Sequence, residues 1–159
     1  MKKVVLVIVI VLFGFSVQAQ EGFKLGANIG LPIGDAGDLS SFSIGLDVAY
    51  MFEVSDSFDA GIVSGFSHAF LKDGLDGEVQ FLPIAASGRF KAADKFSIGA
   101  DLGYAMGIND GNDGGFYYRP IAGYNISEKV QLNLSYTGIS ANDADFSWST
   151  INLGVLFSL

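Results

Sequence analysis

The chain has 159 residues, half of them hydrophobic and only 16% charged, enough for one domain with a sizeable core and hardly for two. A net charge of -8 excludes a basic nucleic-acid surface, and the absence of Cys excludes disulfides, thiolate metal sites and Cys nucleophiles. With 21 Gly and only 3 Pro, the chain is neither collagen-like nor a Pro-rich disordered segment.

In chain order, the first element is a targeting segment. Lys2 and Lys3 precede an apolar run over residues 4–15, broken only by Gly14, and Val17-Gln18-Ala19 offers residues that signal peptidase accepts. The run is about 12 residues, short of the roughly 20 needed to cross a bilayer. Residues 1–19 are therefore expected to be a cleaved signal peptide, and residues 20–159 the working domain. That remainder contains no 18-residue apolar stretch, which excludes a helical membrane protein.

From Gln20 onward the dominant period is two, the repeat of a strand whose faces meet different surroundings. The first segment sets Phe23, Leu25, Ala27, Ile29 and Leu31 against Lys24, Gly26, Asn28 and Gly30. The second sets Phe42, Ile44, Leu46, Val48, Tyr50 and Phe52 against Ser43, Gly45, Asp47, Ala49 and Met51. In the third, Phe58, Ala60, Ile62, Phe66 and Phe70 oppose Asp59, Gly61, Gly65 and Ser67; in the fourth, Leu82, Ile84, Ala86 and Phe90 oppose Phe81, Pro83, Ser87 and Arg89. The fifth runs from Phe96 to Ile108, with Ser97, Gly99, Asp101, Gly103 and Gly107 on its small face. The sixth sets Tyr118, Ala122 and Tyr124 against Tyr117, Arg119, Gly123 and Asn125. The seventh sets Val130, Leu132, Leu134 and Tyr136 against Gln131, Asn133, Ser135 and Thr137. The eighth sets Ile151, Leu153, Val155, Phe157 and Leu159 against Thr150, Asn152 and Gly154.

The connections alternate in length: long over 32–41, 71–77, 109–115 and 140–145, tight over 53–57, 91–95 and 126–129. This predicts an all-β, eight-stranded antiparallel up-and-down meander with both termini on the short-turn side, the pattern of outer-membrane barrels. Eight strands enclose a space just wide enough for side chains to fill. The small face therefore points inward, and the Phe, Leu and Ile face points outward, where its solvent is lipid. A soluble lipocalin-like barrel shows the reverse. No Lys, Arg, Asp or Glu falls on the outward face of any segment, in keeping with a cost of roughly 2–4 kcal/mol per charge at mid-bilayer. Aromatics near segment ends, including Phe23, Phe42, Phe52, Phe58, Phe70, Phe90, Phe96 and Phe157, match interfacial girdles.

On these features residues 20–159 resemble the small outer-membrane β-barrel family, typified by the eight-stranded barrels of outer membrane protein A and outer membrane protein X. The resemblance rests on the opening Phe23-Lys24-Leu25-Gly26-Ala27-Asn28-Ile29-Gly30, on Gly123-Tyr124 before a tight turn, and on the closing alternation. It implies residence in the bacterial outer membrane among lipids that include lipopolysaccharide, and handling by the barrel assembly machinery. Members usually end on an aromatic; here Leu159 is terminal and Phe157 lies two positions earlier on the same face.

Lys24, Arg89 and Arg119 fall on the inward face with Asp47, Asp59 and Asp101, which predicts a neutral lumen of paired charges. Folding the third and fourth segments about Gly74 puts Asp59 opposite Arg89, so an ion pair is expected there, near the short-turn end. A polar plug that holds the barrel's shape is one reading of this network, and a narrow gated pore is the other. His68 is the sole histidine, and Ser67 points to the opposite face, which defeats the Ser–His hydrogen bond of a lipid A-modifying enzyme. An interfacial position at the outer end of the third segment is expected for His68 instead.

The outer loops gather acid at Asp35, Asp38, Asp73, Asp76, Glu78, Asp110, Asp113, Asp143 and Asp145, against Lys72 alone. Asn109-Asp110-Gly111-Asn112-Asp113-Gly114 is similar to a calcium loop but misses its spacing, because Gly114 comes fifth from Asp110. These residue types also make tight turns; a weak divalent-cation site bridging the rim to lipopolysaccharide is the alternative. No phosphate loop, nucleotide fingerprint or paired catalytic carboxylates occur, so neither a cofactor nor a resident metal is expected. The sequence thus predicts a monomeric, non-enzymatic outer-membrane barrel with a structural or cell-surface interaction role and a lumen filled by polar residues. A small passive porin-like channel is the second reading, and a lipid A-modifying enzyme the third.

Overall fold

The computed structural model describes residues 22–75, 77–141 and 147–159; the expected signal peptide, Asp76, Asp143 and Asp145 lie outside the described residues. Eight strands follow in order: β1 (Phe23–Ile33), β2 (Ser40–Ser55), β3 (Phe58–Leu71), β4 (Val79–Ala93), β5 (Phe96–Gly107), β6 (Gly115–Asn125), β7 (Val130–Ala141) and β8 (Ser147–Ser158). Each pairs antiparallel with its neighbours in sequence, and β1 pairs with β8 to close the ring. Stepping through directly opposed residues from Phe23 to Tyr50, Ile62, Ala86, Leu102, Tyr118, Gly138 and Ser149 leads back to β1 at Ile33. The ring therefore closes with a stagger of ten residues, from 23 to 33 on one strand. Such a stagger tilts the strands and fixes a narrow bore.

Burial is inverted relative to a protein in water. Ile62, Leu46 and Leu153 are 63%, 54% and 56% exposed, whereas Asp101 is fully buried and Arg119 nearly so. An apolar exterior over a charged interior is stable only where the exterior solvent is hydrocarbon. The alternation reads the faces correctly even in β4, where Phe81, Pro83 and Ser87 are buried while Ile84, Ala86 and Phe90 are exposed. Outward aromatics group near both rims. Phe42 and Phe70 stack at 4.3 Å toward the long loops, and Tyr50 meets Phe23 at 5.0 Å and Phe52 at 5.2 Å toward the short turns.

The strands are longer than the periodicity alone predicts. Two of the tight connections shrink to residues 56–57 and 94–95, each preceded by a register shift, between Glu53 and Ser55 and between Lys91 and Ala93. A bulge lets a strand continue into a two-residue turn while absorbing one extra residue. Lys91 consequently belongs to β4 rather than to a turn. The first long connection is also shorter than expected, because residues 35–39 fold into a short helix, α1 (Asp35–Leu39). Gly34 enters it at φ 58°, a left-handed conformation that side chains with a Cβ disfavour. The helix lies beside β8, β1 and β2 at the long-loop end.

Candidate functional site in the barrel lumen

The centre of the lumen is an ion network built by three strands and completed by a fourth. Arg119 on β6 lies directly opposite Asp101 on β5, and its Nε donates to Asp101 Oδ2 at 2.8 Å. Its Nη1 reaches across the bore to β2, 3.0 Å from both carboxylate oxygens of Asp47. Strands β2 and β6 stand on opposite sides of the ring, so this contact ties the two walls together. Asp101 also meets Arg89 Nη2 on β4 at 2.7 Å, and Asn28 Nδ2 donates to Asp47 Oδ2 at 3.0 Å. The Arg119 guanidinium sits 5.9 Å from the Tyr117 ring centroid. Charges this deep persist because each is paired and hydrogen-bonded.

Nearer the short turns the expected pairing is replaced. Asp59 does stand opposite Arg89, as the hairpin about Gly74 predicts. The ion pair does not follow from that register, because Arg89 turns inward to Asp101 while Asp59 takes Lys91 Nζ at 3.1 Å. On a pleated, tilted wall the residue two positions along shares the face and lies within a lysine's reach. Lys91 also meets Glu53 at 3.0 Å at the strand ends. With Lys91 in β4 and Glu53, directly opposite Asp59, in β2, the charges on the inward face become Lys24, Arg89, Lys91 and Arg119 against Asp47, Glu53, Asp59 and Asp101. The network gains a pair at the strand ends, and four cations face four carboxylates.

The outer half of the lumen corrects the expectation of a polar filling. Phe81, Tyr117, Ile139 and Trp148 are each no more than 5% exposed and pack with Ala69 and Ala105. The rings of Phe81 and Trp148 lie 5.9 Å apart, and Ala36 of α1 joins the same buried cluster. Ser40 Oγ donates to Ala36 O at 2.9 Å and Ser147 N to Asp35 Oδ2 at 3.3 Å, which fasten the helix over this end. Parity along the strands places Phe81 and Tyr117 inward; Trp148 precedes the part of β8 with clear alternation but shares the parity of Thr150 and Asn152, and its burial identifies it as lumenal. Beneath this plug a cavity of about 40 Å³ is lined by Thr137, Thr150 and Asn152, whose Nδ2 donates to both threonine hydroxyls. A second cavity of about 170 Å³ opens among Lys24, Lys91, Ser97 and Asn133 toward the short turns. Asp47 and Arg119 line both cavities and stand between them.

At the rim, His68 faces outward against Phe70, with ring centroids 4.5 Å apart, while Ser67 lines the lumen. The partner of His68 Nδ1 is Gln80 Nε2 at 3.1 Å, and the same amide nitrogen donates to Glu78 Oε2 at 2.8 Å. Asn109 and Asn112 fasten their loop to Gln80. Asn109 Oδ1 accepts from Gln80 N, and Asn112 Nδ2 donates to Gln80 O. Both asparagine side chains of the calcium-like segment are thus spent on holding the turn. Asp35, Asp38, Asp73, Glu78, Asp110 and Asp113 are exposed, and among the described residues no three His, Asp or Glu side chains group as metal ligands.

Residues 5–158 match the model of the outer membrane protein beta-barrel domain family. No curated protein matches the chain. Among solved structures, the attachment invasion locus protein of Yersinia pestis is similar over 89% of this chain and 99% of its own, at 19% identity and a TM-score of 0.60. Neisserial surface protein A is similar over 87% and 97%, at 15% identity and a TM-score of 0.59. A de novo designed transmembrane β-barrel is similar over 90% and 100%, at 12% identity and a TM-score of 0.55.

Proposed function

Because this chain belongs to the outer membrane protein beta-barrel domain family, we propose that it is a monomeric, closed barrel with a structural or cell-surface interaction role, and that it neither conducts solutes nor catalyses a reaction. The observation that carries this reading is the double closure of the bore. Arg119 spans it to Asp47 at mid-height, and Phe81, Tyr117, Ile139 and Trp148 fill it beneath α1. Contact with the surroundings is then left to the exterior, which is apolar between the girdles and acidic on the long loops. Lipid A chemistry finds no support at His68, whose ring nitrogen is engaged by Gln80 while Ser67 points away from it.

The passive-channel reading survives in one feature. Asp47 and Arg119 border both cavities, so a rearrangement of that pair would join them beneath the aromatic plug. Planar-bilayer recording of the purified protein distinguishes the two. We expect no stepwise conductance, and discrete openings of the unmodified protein would replace the closed-barrel reading with the channel.

A further inference from the structure

We propose that the short-turn vestibule of the lumen binds a small oxyanion, a phosphate or a short carboxylate, with Lys24 as its principal contact. The first observation is a cation left out of the ion pairs. Asp101 is shared by Arg89 and Arg119, Asp47 is taken by Arg119, and Asp59 and Glu53 both meet Lys91. Among the described residues none of these carboxylates lies within 4.0 Å of Lys24, although the side chain projects into the bore from β1 and is partly buried. An ammonium withdrawn from water without a counter-ion is costly, and a captured oxyanion removes that cost.

The second observation is the shape of the space. The cavity beside Lys24 holds about 170 Å³ and is blind, because Asp47 and Arg119 close its inner end. An anion entering from the short-turn side is therefore held rather than passed through. The third is Asn133, which is 9% exposed, lines this cavity, and has an Oδ1 without a hydrogen-bond partner. Rotation of its amide turns either the nitrogen toward an anion's oxygens or the oxygen toward a protonated P–OH. Asp94 and Glu128 also border the mouth, but both sit on exposed turns where water and salt screen them.

The test is a titration of the refolded full barrel in zwitterionic micelles with inorganic phosphate at constant ionic strength, followed by amide and side-chain NMR shifts. We expect saturable shifts at Lys24, Ser97 and Asn133 with Trp148 unmoved, and competition by acetate. Lys24→Gln raises the phosphate Kd about tenfold or more, while Lys24→Arg keeps it within about threefold of the parent. Shifts that never saturate, or that fall on the outer loops, overturn the proposal from the parent protein alone, whatever the fate of the variants. A folded Lys24→Gln barrel that binds phosphate as the parent does overturns it as well.

Discussion

Asp101 and Asp59 both face the lumen, yet they carry different burdens. Asp101 is fully buried and receives two guanidiniums, whereas Asp59 shares a partly exposed lysine with Glu53 near the strand ends. Removing one partner of a buried network strands the other charges, at about 3–5 kcal/mol, while a screened pair contributes at most about 1 kcal/mol. Asp101→Asn is therefore expected to lower the urea midpoint of the vesicle-inserted barrel far more than Asp59→Asn, and equal midpoints would refute this ranking. The sequence picks out both carboxylates by parity. It does not reveal their partners, because a long Arg or Lys side chain reaches diagonal neighbours and even the far wall, as Arg119 does to Asp47.

At the scale of the strands, two features set what each face tolerates. Leu153 lies midway along β8 and is 56% exposed, facing hydrocarbon, so Leu153→Arg is expected to cost about 2–4 kcal/mol. The same change at Leu159, beyond the end of β8, should cost much less; comparing the unfolding midpoints of the two variants checks this. Gly103 marks a close approach of β5 to β4, where a Cβ would run into Ile84 O and stand 2.6 Å from Ala85 Cα and 2.8 Å from Ala85 Cβ. Gly103→Val should consequently lower stability by about 1–3 kcal/mol through overpacking, seen as loss of the heat-resistant gel species at lower temperature. Strand identity and face follow from period two alone. Strand ends do not, because a bulge such as that between Lys91 and Ala93 depends on how two chains meet rather than on either one's pattern.

For the whole molecule, closure has two independent locks, the Asp47–Arg119 contact and the aromatic plug. Opening one leaves the other in place. Bilayer recordings of the triple variant Phe81→Ala, Trp148→Ala and Arg119→Ala should accordingly show openings that neither the parent nor Arg119→Ala alone displays. A silent triple variant would mean that α1 or another part of the wall seals the bore unaided. By itself the sequence determined the strand number, the up-and-down order, the inward and outward faces and the six inward charges that begin the lumen network. These follow from alternation, turn lengths and the rule that a narrow ring admits only its smaller face. Only the tertiary structure decided that Arg119 bridges the bore, that Lys91 adds a fourth cation, that residues 35–39 form a roof, and that the outer lumen is aromatic rather than polar. The bridge across the bore depends on the ten-residue stagger, which brings to one height residues far apart in sequence, and the place of Lys91 depends on a bulge between two paired strands, relations that no local pattern encodes.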